Sequence, residues 1–154
     1  MRFRSFAPVT LVALAGCTPL GLWMYEEPTV EITSVRVSDA GAAEYPVRIA
    51  LQVSNGNDFE VSLEKVQLRL MVNDAEIVDR ELSTAALFPA RDRHTVEIGV
   101  AWRDVGPGLR PEGLAAGDHR YSVDGQVQLR TPIGKRRIRF ARAGTEQFEG
   151  RPAS

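Results

Sequence analysis

The chain's one cysteine, Cys17, carries its most reactive group, and the residues before it suit a specific fate for that thiol. Arg2 and Arg4 precede an apolar run from Phe6 to Ala15, which closes on Leu14-Ala15-Gly16-Cys17. A basic start, a short apolar stretch and small residues before a cut are the marks of an export signal. The run is too short to cross a bilayer, which takes roughly 20 apolar residues. Other candidates for chemistry are sparse. His94 and His119 stand far apart at the edges of predicted strands, and a metal site there would need carboxylates to complete it. Both are read as solvated. There is no Gly-x-Ser-x-Gly elbow, no phosphate-cradling glycine loop and no nucleophile–base spacing. The expectation is a protein that is not an enzyme and uses no metal or cofactor.

Leu14-Ala15-Gly16-Cys17 resembles the lipobox of bacterial lipoproteins. The resemblance implies that residues 1–16 are removed, that the Cys17 thiol is acylated, and that Cys17 becomes the first mature residue. A single acyl chain binds a membrane only marginally, at roughly 0.8 kcal/mol per buried methylene, whereas two chains hold firmly. In enteric-type bacteria an Asp after the cysteine resembles an inner-membrane retention signal, and this chain has Thr18 there. The expected location is the bacterial cell envelope, with the chain lipid-anchored to the outer membrane and facing the periplasm.

Removing residues 1–16 from 154 leaves 138, enough for one domain that buries roughly two-thirds of its unfolded surface. The leader holds two of the 19 basic residues and none of the 20 acidic ones, so the mature net charge is 17 − 20 = −3. A weakly acidic protein is not drawn electrostatically to nucleic acid.

The elements that follow are strands. Residues 17–28 read as a lipidated start and linker, with two prolines and no period, although Leu22, Trp23 and Tyr25 are apolar enough to dock on the domain or at a membrane interface. From Pro28 the chain alternates with period two. Val30 and Ile32 alternate, then Val35 and Val37 resume on the other parity, predicting a bulge near Thr33-Ser34. Val47, Ile49, Leu51 and Val53 form a strand that ends at a turn at Asn55-Gly56. Phe59, Val61 and Leu63 form one set, and Val66 to Val72 a second, shifted at Glu64-Lys65. Asn73-Asp74 turns into a short strand, 76–82, followed by a crossing loop over 83–93. Val96 to Trp102 is a strand with Trp102 in the core. Residues 104–118 are a glycine- and proline-rich loop with one helical turn near Pro111 to Ala116. Tyr121 to Leu129 pairs with Arg137 to Ala141 through the hairpin Thr131-Pro132-Ile133-Gly134. Residues 149–154 are a tail. About seven short strands at this spacing predict an all-β antiparallel sandwich.

The one basic cluster, Lys135 to Arg142, interleaves charge with Ile138 and Phe140. That pattern fits an edge strand with Ile138 and Phe140 toward the core and Arg137 and Arg139 in water, where charge discourages aggregation.

The order of motifs is familiar. Asn55-Gly56-Asn57-Asp58-Phe59 links two strands, and Tyr121-Ser122-Val123-Asp124-Gly125 precedes the last hairpin, followed by Ile138-Arg139-Phe140 and Gly144. This resembles the late embryogenesis abundant type 2 family, also called the WHy domain, over about residues 29–148. That family carries Asn-Pro-Asn where this chain has Asn55, Gly56 and Asn57; glycine keeps the turn accessible through positive φ but loosens it. The resemblance implies an immunoglobulin- or fibronectin-III-like sandwich and a link to desiccation and stress tolerance. It implies no catalytic residues. The expected role is a protective or binding module whose partners are the membrane, through the lipid, and unfolding client proteins. The alternative is a structural or accessory lipoprotein that docks one envelope protein.

Overall fold

Period-two alternation sets the architecture. The computed structural model describes residues 24–37, 44–106 and 117–148. Within them seven strands form: β1 Thr29–Val37, β2 Val47–Asn55, β3 Val61–Val72, β4 Ala75–Phe88, β5 Asp92–Val100, β6 Gly117–Thr131 and β7 Gly134–Phe148. They pair antiparallel into a three-stranded sheet, β1-β2-β5, and a four-stranded sheet, β4-β3-β6-β7. The inner faces share one core, with Ile49, Leu51 and Val53 from one sheet meeting Val66, Leu68, Leu70, Val127 and Leu129 from the other. This is the all-β sandwich that the alternation predicts.

The parity breaks are bulges. The β1–β2 register shifts between Ile32 and Ser34, and the β3 registers shift between Leu63 and Lys65. Each bulge adds one residue, so the apolar side chains on both flanks still face inward. Asn73 and Asp74, at φ 47° and 67°, make the β3–β4 turn in the left-handed conformation that two-residue hairpins favour. Gly134, at φ 113°, closes the β6–β7 hairpin against Thr131.

Gly125, from the Tyr-x-Val-x-Gly stretch, is a point of close approach. A Cβ there would overlap the Gln67 carbonyl oxygen and lie 2.8 Å from the Phe140 ring. Glycine lets that ring cover the strand backbone. Phe140 is buried and Ile138 half-buried on β7, with Arg137 and Arg139 exposed, the arrangement predicted for an edge strand.

The structure corrects the sequence reading at several places. β4 does not stop at Leu82; it runs to Phe88, and β5 begins at Asp92, so only Pro89–Arg91 cross between sheets. Leu82, Thr84, Ala86 and Phe88 do alternate inward, but threonine and alanine carry little apolar signal, and pairing to β3 supplies the order instead. The sets on either side of Glu64-Lys65 belong to one bulged strand. Trp102 is not in a strand: β5 ends at Val100 and Trp102 opens a 3-10 turn, Trp102–Asp104. Its side chain lies outside the described residues. β7 continues past Ala141 to Phe148, paired with Gly117. Leu14, Ala15, Gly16, Cys17, Leu22, Trp23, the helical turn near Pro111 and the tail 149–154 also lie outside the described residues.

Candidate functional site

Three separate stretches of chain meet at one end of the sandwich, and Asn55 and Asn57 join them. Both side chains are buried, at 2% and 3% exposure. Asn55 ends β2, and its amide nitrogen donates to the carbonyls of Phe59 at 2.7 Å and Pro89 at 3.0 Å, with a longer contact to Phe88 at 3.4 Å. Its carbonyl oxygen accepts from the backbone N–H and the side-chain amide of Asn57, both at 3.1 Å. One side chain thus ties the β2–β3 crossing to the β4–β5 crossing. Arg91, at φ 52°, locks the second crossing by donating its N–H to the Asn57 carbonyl at 3.0 Å and pairing with Asp58. The Arg91 guanidinium, as hydrogen-bond donor and then as charge, holds the Asp58 carboxyl below its usual range.

Asn57 reaches the third stretch. Its amide nitrogen donates to the Glu26 carbonyl at 2.7 Å, and its oxygen accepts the Glu26 N–H at 2.9 Å. The pair copies one rung of a β-ladder, so the segment before β1 is clamped to the domain. Tyr25 adds to the clamp: its ring stacks on Phe59 with centroids 6.5 Å apart, and Arg136 lies 5.4 Å from its centroid. Of the three apolar residues flagged in the linker, Tyr25 docks on the domain. Gly56 makes no use of positive φ; among the described residues the glycines that do are Gly117 and Gly134. The turn's shape comes from the two asparagines, and that corrects the reading of Gly56.

Glu64, at the β3 bulge, is a charge hub the sequence did not single out. It accepts from Gln128 at 2.9 Å and Arg130 at 2.5 Å and pairs with Lys135 at 3.1 Å. Those three bonds, in that order, bring its pKa down to about 2. It stays ionised through the physiological range and serves as an anchor for the last hairpin rather than as a proton donor. A hint was present, since Glu64 is the acid at a parity break opposite a basic hairpin.

The two histidines are separated by the fold. His94, on β5, sets its ring edge against Phe88, which pairs with Val61 at the start of β3. His119, on β6, stacks on Phe148 and meets Asn73, just past the end of β3, at 2.7 Å. β3 is 12 residues long and spans roughly 40 Å, so the two cannot share an ion. Among the described residues no group of three His, Cys, Asp or Glu is placed to hold a metal.

The outer face of the four-stranded sheet is polar. Cross-strand rows run Asp79–Arg69–Asp124–Ala141 and Glu81–Gln67–Gln126–Arg139. Gln126 donates to Gln67 at 2.8 Å, and Lys65 reaches Glu81 at 2.6 Å. An open furrow of about 780 Å³ lies over the first two rows, walled by both acids and bases.

The comparisons agree with this architecture. The family model for late embryogenesis abundant proteins, LEA_2, matches residues 50–144, or 95 of 154. The Asn57 turn, Gly125 and the last hairpin all fall inside that match. A search of curated proteins gives no match. A solution structure of a protein described as late embryogenesis abundant superposes with TM-score 0.65 at 12% identity, covering 84% of this chain and 75% of that one. A second solution structure, from Arabidopsis thaliana, superposes with TM-score 0.57 at 16% identity, covering 80% of this chain and 83% of that one. At such identities the superpositions speak for the fold, while the family model covers well over half of the sequence: the chain belongs to the late embryogenesis abundant family, LEA_2.

Proposed function

We propose that this chain is a lipid-anchored envelope protein whose WHy-type sandwich is a non-enzymatic protective and binding module in desiccation or envelope stress. Family membership supports the stress-related part. The observation that carries the rest is the outer face of the four-stranded sheet, where acids, bases and glutamines are interspersed across the rows Asp79–Arg69–Asp124–Ala141 and Glu81–Gln67–Gln126–Arg139 and neither sign dominates. Such a face stays hydrated yet presents no strong single-sign field to select one charged ligand. It suits brief contact with many surfaces better than tight capture of one small molecule. Glu64, held ionised by its three partners, supports a structural rather than a proton-transfer role for the most perturbed carboxylate.

The lipobox at Leu14-Ala15-Gly16-Cys17 supplies the anchor. From Cys17 to the docked Tyr25 is 25 − 17 = 8 residues, at most about 28 Å of extended chain. Acyl chains at Cys17 would hold the clamped end of the sandwich near the membrane. The test is made in cells. Labelled palmitate should enter the natural chain and not Cys17→Ser, and loss of the chain should lower survival after drying. Unchanged survival would remove the protective role. Crosslinking separates the rival: many weak bands fit a shield, whereas one dominant band would identify an accessory lipoprotein with a dedicated envelope partner.

A further inference from the structure

β4 is one of the two edge strands of the four-stranded sheet, opposite β7, and its free side is not uniform. Near its start the chain after β5 closes it, with the Gly106 N–H donating to the Ile77 carbonyl at 2.6 Å. Its middle carries Asp79, Arg80 and Glu81, all exposed. Arg80 lies opposite buried Leu68, a charge on the inward side of an edge, which is a known block to strand addition. At the far end the Asn55 amide occupies the carbonyls of Phe88 and Pro89. Between these guards, Leu82-Ser83-Thr84-Ala85-Ala86-Leu87 has no charge, no proline and no glycine, and its one irregularity is the register shift against β3 at Thr84-Ala85. Among the described residues no strand pairs with its free side. Ser83 and Ala85 face solvent, and Leu87 is 59% exposed.

We infer that Leu82–Leu87 is a strand-addition site for an extended, uncharged segment of an unfolding polypeptide, bound backbone to backbone as a fifth strand of the sheet. Main-chain hydrogen bonds would supply the attraction, and alternate side chains would lie beside Ser83, Ala85 and Leu87, which are small or apolar and tolerate many sequences. Neutral flanks select neutral segments, because a charge set against this strip would lose water and gain no partner. Six residues span about 20 Å. A ribbon that short falls below the roughly 1,200 Å² that stable interfaces bury, so the contact is weak and exchanging, and a second copy of this chain is not the expected occupant. The inference rests on the protective reading and gives its transient contacts a defined place.

The test uses the full chain beside the double variant Ala85→Lys, Leu87→Lys, which adds guarding charges at two exposed positions. The probe is a fluorescein-labelled peptide of alternating valine and threonine, with a copy N-methylated at every residue that cannot donate backbone hydrogen bonds. The methylated peptide should bind about tenfold more weakly, the loss of one or two net hydrogen bonds, and the double variant should weaken binding by a similar factor through the charges it places along the edge. Hydrogen exchange should slow at residues 82–87 when the unmethylated peptide binds. Equal binding by the double variant, slowed exchange elsewhere, or a dimer that the double variant abolishes would each overturn the inference. Should the double variant not fold, Ala85→Lys alone and the methylated peptide carry the same test. Protection of a drying reporter enzyme separates the two readings. Equal protection by both chains sinks the edge and leaves the shield standing; no protection by either sinks the shield, and the peptide titration then decides the edge by itself.

Discussion

Replacing Asn55 with alanine should destabilise this domain more than any surface change, and the cost can be counted from its bonds. The side chain is 2% exposed and makes two short donations, to Phe59 and Pro89, while accepting from the backbone N–H and amide of Asn57. Alanine removes every one of these and leaves no room-filling polar substitute. A buried polar group left without a partner costs about 1–3 kcal/mol. Water will reach some of the orphans, because Gly56 and Pro89 are exposed, so the groups do not add in full. A loss of about 3–5 kcal/mol follows, a large share of the stability of a domain this size. The melting point should fall by roughly 10–20 °C. Urea unfolding of Asn55→Ala beside the natural chain measures it, with an unchanged slope confirming that the native state stays compact. Asn55→Asp isolates the donor role. It keeps the acceptor for Asn57 but aims a carboxylate at two carbonyl oxygens, which should raise its folded pKa. Protonation restores one donor, so that variant should regain stability as pH falls. A loss under about 1 kcal/mol for Asn55→Ala would refute the claim that this side chain joins the two crossings.

Three further outcomes follow from the geometry. Gly125→Ala forces a methyl group into the Gln67 carbonyl and the Phe140 ring, neither of which can move freely, and should cost about 2–3 kcal/mol by denaturant titration. Gly56→Pro should stabilise by about 0.4–1 kcal/mol by stiffening the unfolded chain; the turn uses no positive φ there, and a Cβ at Gly56 meets only the flexible end of Glu26. Glu64 has its folded pKa lowered from 4.5 to about 2, so the stability it contributes is present above pH 4.5 and is lost as pH falls toward 2. Urea midpoints at pH 7, 4 and 2.5 should decline less steeply across that window for Glu64→Gln than for the natural chain.

What could be read from the sequence, and what could not, divides along physical lines. Residues whose burial is signalled by large apolar side chains were legible: Val47 to Val53, Tyr121 to Leu129 and the parity breaks at Thr33 and Glu64. The second half of β4 was not, because Ser83, Ala86 and Leu87 are held by pairing to β3 rather than by bulk. The histidines were read as solvated at strand edges, and their packing against Phe88 and Phe148 was not legible because those partners arrive from β4 and β7. The importance of Asn55 and Asn57 was visible as a turn signal, but their task was not. That task depends on Glu26 and Pro89, 31 and 34 positions away, brought into reach only by the fold. Glu64 was hidden for the same reason: Gln128, Arg130 and Lys135 become its neighbours only when β6 pairs with β3.

The central claim, that this sandwich shields other proteins, is tested most directly by drying a labile enzyme beside residues 17–154 of the chain, with Cys17→Ser and Tyr25 and Glu26 retained so that the clamp forms. An inert protein of equal mass, size and charge is the control. The account predicts that more enzyme activity survives than with the control at near-stoichiometric ratios, and that Ala85→Lys with Leu87→Lys reduces the gain. Survival no better than with the control, for a chain shown to be folded, would contradict it.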